Sequence, residues 1–483
     1  MTERRVVLTG TPSAPTDELR QAFAAIRERL AVPTDFPAEV LAEAERVAAA
    51  GPQDAPAQDA TDLPFVTIDP PGSMDLDQAM HLERAGTGFR VRYAIADVPA
   101  FVAAGGAIDA EARRRGETVY LPDGSEPLHP RRLSEGAASL LPGDRRPAFV
   151  CDLRLDAEGT VAGATVARAM VRSVARLDYA GVQADLDAGR APEMMALLRE
   201  VGELRIAQEA ARGGASLPKP EQEVVTTPTG YELRFRPPVP VEDWNAQVSL
   251  MTGMAAADIM LTGGIGILRT MPAPDPGSVD RFRRQAAALG VPWPGDTPYG
   301  QFLRHLDRDD PHHLALMHAA TSLFRGAGYT PFDGEAPQQR DHAALAAPYA
   351  HVTAPLRRLV DRFGLVLCAA LSGGGEVPGW VREALPTLPD IMKASGRLTG
   401  AVERACTDAV EAAVLAPLVG REWDATVVEV RGEKGCTVQI ADPAVLAECP
   451  QVAPLGARVR VRLTGTDVVK QRATFELVGG ADG

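Results

Sequence analysis

"FVTIDPPGSMDLDQAM", residues 65–80, is the stretch on which the reading of this chain turns. Asp69, Asp75 and Asp77 fall within nine residues, with no lysine or arginine among them. Crowded carboxylates repel one another unless something neutralises them. Apolar "LPFVTI" leads into the bend and "FRVRYAIADV" follows at 89–98, so the bend is expected to emerge from a sheet and not from a tail. Asp75 and Asp77 are two apart, which points both the same way from extended backbone. Pro70 and Pro71 stiffen the turn and Gly72 relaxes it, so Asp69 can fold back to face them. No sulfur or imidazole is interleaved, and an all-oxygen donor set suits Mg²⁺ or Mn²⁺. Such ions hold phosphate oxygens and activate water for hydrolysis. The rival reading is a calcium loop or a solvated surface turn, since three acids in nine residues arise by chance on many surfaces.

The whole chain bounds that reading. Its 483 residues are long enough for a large core or several domains, and 45% of them are apolar. No run of apolar residues suggests a membrane span, and "MTERRVVLTGTPSAP" lacks the apolar core of a signal peptide. Five scattered cysteines without a CxxC pair fit a reducing, cytoplasmic home. The net charge of −14 argues against a protein that coats nucleic acid without selection. It leaves open an enzyme whose local groove binds a polyanion.

Periodicity divides the chain into four expected units. Residues 1–60 carry two helical patterns, "TDELRQAFAAIRERL" and "PTDFPAEVLAEAERVAAAG", which read as a small helical, helix-turn-helix or winged module. Residues 61–397 read as strands followed by helices, an α+β body with a single core. Residues 398–418 form a connecting helix. Residues 419–483 show short alternating strands with glycine turns, the pattern of a small OB-type β-barrel. Arg458, Arg460 and Arg462 fall on one strand face there, where a polyanion could lie. The alternative for them is an edge strand protected by charge.

A second stretch, "PYAHVTAPLRRLVDRFG" at 348–364, places Pro355 to open a helix. Arg357 and Arg358 then lie in its first turn beside free backbone N–H groups, an arrangement that would grip phosphate.

These pieces resemble the ribonuclease II (RNB) family of exoribonucleases. The resemblance rests on "FVTIDPPGSMDLDQAM", "YAIADVPAFV", "RGETVYLPDGSEPLHPRRLSEGAASLLPGDRRPAF" and "YAHVTAPLRRLVD", in the family's order. It covers roughly residues 62–395, and the tail resembles the family's C-terminal OB-fold RNA-binding domain. The resemblance implies a divalent-metal-dependent hydrolase, and the chain is expected to be cytoplasmic and to act as a monomer. Such an enzyme degrades single-stranded RNA from the 3′ end and releases nucleoside 5′-monophosphates. By the same resemblance Asp69 and Asp75 are metal-site carboxylates, and Asp77 is the aspartate most needed for chemistry. Arg357 clamps a phosphate, Tyr120 packs on a base, and Tyr179 helps set the final product length.

The chain also departs from the family's pattern. Gln78 stands where the family usually has another aspartate; its amide oxygen can ligate but brings no charge. Gln247 stands at a usual glutamate and Gly253 at a usual asparagine, so Glu242 and Gln247 are left out of the catalytic set. Helices stand in place of cold-shock-like domains, which implies a more open approach for structured RNA. The competing class is an RNA-binding or regulatory protein of the same fold with weak hydrolysis, which Gln78 and Gln247 keep alive. A zinc site on His305, His312, His313 and His318 lacks the HExxH arrangement. Asp97 is expected to tie down a loop, His351 to be a buried hydrogen-bonded histidine, Cys151 and Cys368 to be core, and Trp244 and Trp423 to be packing anchors.

Overall fold

The computed structural model describes residues 8–9, 17–215, 221–227, 230–236, 239–307, 310–440 and 445–480. Its central feature is a sheet built from β1 (Gln58–Asp59), β2 (Phe65–Ile68), β3 (Gln78–Ala85), β4 (Gly88–Ala96), β5 (Arg145–Leu155) and β6 (Val161–Leu177). The spatial order is β1-β6-β2-β3-β4-β5, and β5 pairs back onto β6, which closes the ring. Closure depends on the length of β6: its first two thirds run antiparallel to β5, and Ser173–Leu177 run parallel to β2. Closure removes the unpaired edges that a strand-rich body must otherwise protect. The acidic bend connects β2 to β3, so it leaves the sheet at a rim, as its apolar flanks imply.

Six helices matter for the site: α1 (Asp17–Arg29), α2 (Ala38–Ala50), α3 (Glu193–Arg212), α4 (Pro240–Gly263), α5 (Leu359–Ser372) and α6 (Leu388–Leu415). On one face of the sheet, Met80, Leu82, Val91, Tyr93 and Ile95 share a core with residues of α3, α4 and α5. Cys151, Cys368 and Trp244 lie in this core, as expected. On the other face, Ala79, Ala94 and Ala96 share a core with Val40, Ala44 and Val47 of α2, with Leu76 of the bend, and with Leu356.

The N-terminal helical region is present, and its two helices bury their apolar stripes in different cores. Leu19, Phe23 and Ile26 of α1 join Val402, Cys406 and Val410 of α6 and the barrel interior, whereas α2 lies over the sheet. Ion pairs from Arg27 to Asp123 at 2.9 Å and to Glu126 at 2.7 Å fasten α1 to the body. Neither helix has a core of its own.

The tail forms a nearly closed barrel of β7 (Glu422–Val430), β8 (Cys436–Ile440), β9 (Val445–Cys449), β10 (Arg458–Asp467) and β11 (Arg472–Gly480), ordered β9-β8-β7-β10-β11. Sequence alternation accounts for four of these strands. The fifth, β9, is a short "VLAEC" beside residues outside the described set. The chain beside Pro228–Gly230 is a hairpin, Glu221–Thr227 with Gly230–Arg236, whose turn residues 228–229 also lie outside the described set. Among the described residues no helix is long and apolar enough to cross a membrane.

One expectation is corrected. The helix after Pro355 begins only at Leu359, so Arg357 and Arg358 precede it. The backbone of 354–359 is drawn into other bonds: the amides of Arg357 and Arg358 donate to the Ala354 carbonyl, and Leu359 donates to Gly116. The Arg357 carbonyl accepts from Thr118. Residues 355–357 form a single turn, and the antiparallel bridge of Arg358 with Glu117 delays the helix to Leu359.

The position of α5 is fixed by a buried ion pair. Arg362, 1% exposed, donates to Asp109 at 2.6 Å and to the Val102 carbonyl at 3.0 Å. Removing one member strands a buried charge, which typically costs about 3–5 kcal/mol. Asp109→Asn is therefore expected to lose about 3 kcal/mol or more of unfolding free energy in urea titrations. A loss below about 1 kcal/mol would mean that α5 is held by apolar packing alone.

Candidate active site

The bend keeps its shape through bonds to other segments. The Asp69 amide donates to Leu177 at 3.1 Å, and the Ser73 amide to Pro70 at 3.2 Å. Gly72 supplies the left-handed conformation, φ +87°, that this turn requires. Buried Ser139 grips the far side: its hydroxyl donates to the Met74 carbonyl at 2.6 Å and accepts from the Leu76 amide at 2.9 Å. Arg176 donates to the Ser73 carbonyl at 3.0 Å. Asp75 is thus held between the two bonds of one serine.

Asp77 is 4% exposed. One of its oxygens accepts from the Leu356 amide at 2.7 Å, and the other lies 3.5 Å from Nε of Arg357. Burial pushes its carboxyl well above the usual carboxylate range. The Arg357 guanidinium and the Leu356 N–H oppose that, and Asp75 and Asp361 add to it. Arg357 keeps 40% of its side chain exposed, so it can meet a ligand as well as Asp77. The expected grip by free N–H groups is not there: the amides of 356–359 are spent on Asp77, Ala354 and Gly116.

The remaining predicted residues surround this pair. The Tyr120 hydroxyl donates to Asp75 at 3.0 Å, while the residue stays 43% exposed. Tyr179 opens a short helix, and its hydroxyl accepts from Asn245 at 3.2 Å. Gln78 donates from Nε2 to the Thr353 carbonyl at 2.6 Å and accepts at Oε1 from the Tyr93 hydroxyl. Burial raises the Tyr93 phenol well above its usual range, and the charges of Tyr179, Asp69 and Asp77 add to this. Gln247 faces elsewhere, donating to Glu209 at 2.7 Å.

The barrel arginines behave differently. Arg462 is paired with Glu422 at 2.5 Å and Glu476 at 3.3 Å, and Arg460 with Asp424 at 3.3 Å. Arg458, Arg460 and Arg462 are exposed on one face of β10, as alternation predicts, yet acids sit beside two of them. Asp97 ties its loop as expected, accepting from Ala100 at 3.1 Å and from Arg168 at 2.6 Å. His351 hydrogen-bonds the Tyr329 hydroxyl at 2.7 Å.

The donors of the bend suit a hard divalent cation in kind, being oxygen throughout. In placement, no three Asp, Glu, His or Cys side chains among the described residues are gathered closely enough to hold an ion. Asp75 is turned to Tyr120, and Asp77 to Leu356 and Arg357.

Sequence reasoning missed four residues that build the site: Ser139, Tyr93, Thr353 and His129. Each lies inside or beside a motif stretch, but none carries a charge pattern that marks it. His129 is 1% exposed and hydrogen-bonds the Pro355 carbonyl, two residues before Arg357.

The RNB domain family matches residues 57–366, and the RNase II-type exonuclease C-terminal S1 domain matches residues 421–478. This chain belongs to the RNB family. Ribonuclease R of Escherichia coli strain K12 is 31% identical over 326 residues, covering 63% of this chain and 39% of the relative. The exosome complex exonuclease RRP44 homolog A of Arabidopsis thaliana is 28% identical over 339 residues, covering 66% and 36%. The chain thus spans under two fifths of the length of these curated relatives. Mycoplasma genitalium RNase R in complex with ribose-methylated single-stranded RNA superposes with a TM-score of 0.85 at 20% identity, covering 96% of this chain and 78% of that one. Yeast Ssd1, a pseudonuclease, superposes with a TM-score of 0.66 at 16% identity, covering 86% and 54%. At these identities the superpositions show the fold alone.

A pH dependence follows from His129. Burial pushes its pKa down to about 3, with the Arg362 charge adding to this and the bond to Pro355 opposing it. The unfolded imidazole titrates near 6.5. Between those values the unfolded state binds more protons, so stability is complete above pH 6.5 and falls as pH drops through the window. His129→Gln should flatten the pH 7 to 5 stability slope, measured by urea unfolding, by up to about 1.4 kcal/mol per unit. An unchanged slope would place the proton uptake elsewhere.

Proposed function

We propose that this chain is a divalent-metal-dependent 3′ to 5′ exoribonuclease that hydrolyses single-stranded RNA and releases nucleoside 5′-monophosphates. The observation that carries the reading is the meeting of Asp77 with Leu356 and Arg357, which joins the acidic bend to a phosphate-seeking guanidinium. Membership of the RNB family implies divalent-metal dependence, and ribonuclease R is a relative. Fold by itself would not decide the matter, because yeast Ssd1, a pseudonuclease, shares it.

Asp69, Asp75 and Asp77 would hold the metal, Mg²⁺ or Mn²⁺, which supplies Lewis acidity toward phosphate oxygens and an acidified water. The protein's own groups do the rest. Arg357 keeps a planar fork of donors half in solvent, where it can bind the terminal phosphate and offset charge that builds there. Tyr120 presents an exposed ring on which any base can stack, which makes the site sequence-tolerant. Tyr179 is held by Asn245 at 3.2 Å. In the reaction a water oxygen bonds to phosphorus and the bond from phosphorus to the 3′ oxygen of the preceding nucleotide breaks. The phosphate leaves on the terminal nucleotide, and the shortened strand takes a proton as a new 3′-hydroxyl. The 2′-hydroxyl is the feature that separates RNA from DNA at such a site.

On the barrel, Arg431, Lys434, Lys470 and Arg472 line a cleft of 1520 Å³ that also takes in Arg281 and Arg325. None of the acidic bend lines it, and Asp408, Glu411, Glu429 and Glu448 share it. Arg431 is itself paired with Glu448 at 2.7 Å and Lys470 with Asp467 at 2.9 Å, so the cleft carries mixed charge.

A second reading, RNA binding without efficient hydrolysis, draws on the absence of a gathered donor triad among the described residues. One assay separates the two. RNA labelled at the 5′ end should shorten stepwise with Mg²⁺ or Mn²⁺, release monophosphates, and stop in excess chelator. Asp77→Asn should bind RNA within about 3-fold of the unaltered chain yet lose on the order of 10²-fold or more in kcat. Persistent binding with no monophosphate from the unaltered chain would favour the second reading.

A further inference from the structure

We propose that Gln78 is a positioning residue and not a metal ligand: its amide ties the acidic bend to the Thr353 segment that carries Arg357. This rests on the reading of the bend as a cation site, and it reassigns the one uncharged residue that the sequence pattern places among the ligands.

Both ends of the amide are committed. Nε2 donates to the Thr353 carbonyl at 2.6 Å, which only an N–H group can do. Oε1 accepts from Tyr93, whose ring is 0% exposed and whose hydroxyl needs a partner at that depth. Gln78 and Tyr93 are diagonal neighbours across β3 and β4, since Gln78 pairs with Ile95 and Met80 with Tyr93. The strand register therefore sets this contact. The carbonyl at one end and the hydroxyl at the other fix which way the amide faces.

The linkage continues outward. The Thr353 hydroxyl lies 2.9 Å from that of Ser249 on α4. Three residues after Thr353, the Leu356 amide reaches Asp77, which is itself the residue before Gln78. The bend and the Arg357 segment are thus joined twice, by the Asp77 carboxylate and by the Gln78 amide. A carboxylate at position 78 would set an acceptor against the Thr353 carbonyl oxygen. A cation on Oε1 would have to share that oxygen, at its second lone pair, with the Tyr93 hydroxyl proton. The pocket is built for a neutral amide, and the cation is left to Asp69, Asp75 and Asp77.

Gln78→Glu tests this because it keeps the shape and the acceptor but loses the donor. Mn²⁺ affinity would be measured by the electron paramagnetic resonance of free Mn²⁺, and kcat and KM on a single-stranded oligoribonucleotide. A strut predicts a kcat about 10-fold lower, KM within about 2-fold, and Mn²⁺ affinity equal or weaker. Tyr93→Phe, which removes one buried oxygen and serves if the first variant does not fold, should lower kcat similarly. The double variant should lose little more than either single one, as expected of groups in one network. Mn²⁺ binding at least about 10-fold tighter in Gln78→Glu would make position 78 a ligand and overturn the proposal. So would an unchanged kcat in Tyr93→Phe. If the unaltered chain hydrolyses no RNA, the enzyme reading fails first, and that result is visible before any variant is made.

Discussion

A hydrogen bond between residues 279 positions apart holds this site together: the Leu356 amide donating to buried Asp77. It joins the bend that leaves the closed sheet to the turn ahead of α5. A carboxylate taken from water needs partners, and a hydrogen bond to a charged group contributes about 1.5–3 kcal/mol. Asp77 receives one such bond and a guanidinium at 3.5 Å. That falls short of offsetting burial, which is why its carboxyl is raised. The deficit is what a bound cation would make good, and it sits beside the exposed fork of Arg357.

Much of the surrounding structure exists to hold those two segments in register. Ser139 clamps the bend on both sides of Asp75. His129 holds the Pro355 carbonyl, and the Arg362–Asp109 pair fixes the helix that follows. Leu356 is buried in the same apolar core as Leu76 and the face of α2. That shared core explains how a helix near the N-terminus, far from the chemistry in sequence, supports the site.

The bend itself was legible in the sequence, because the apolar runs on both sides of the carboxylates mark it as a connection between strands. The sheet and most helices followed from periods of two and 3.6. What escaped was whatever depends on pairing between distant segments. "APLRRLV" has helical propensity after Pro355, yet 355–357 closes into a single turn and Arg358 bridges to Glu117, which holds the helix back to Leu359. The arginine alternation of β10 was read correctly as a face, but the acids of β7 and β11 that neutralise it appear only once strands are paired. Tyr93 read as one more apolar strand residue, and its partnership with Gln78 requires the β3–β4 register. Two scattered cysteines, Cys436 and Cys449, proved to be cross-strand neighbours for the same reason.

The relatives supply a family, and the local geometry supplies the case for chemistry, since the same fold also serves a pseudonuclease. The most direct measurement is crystallographic: grow crystals in Mn²⁺ and collect anomalous differences at the manganese edge. The account predicts a peak among Asp69, Asp75 and Asp77, within about 2.0–2.4 Å of carboxylate oxygens, with Arg357 across from it. An empty map, with Asp75 still on Tyr120 and Asp77 still on Leu356 at saturating Mn²⁺, would contradict it.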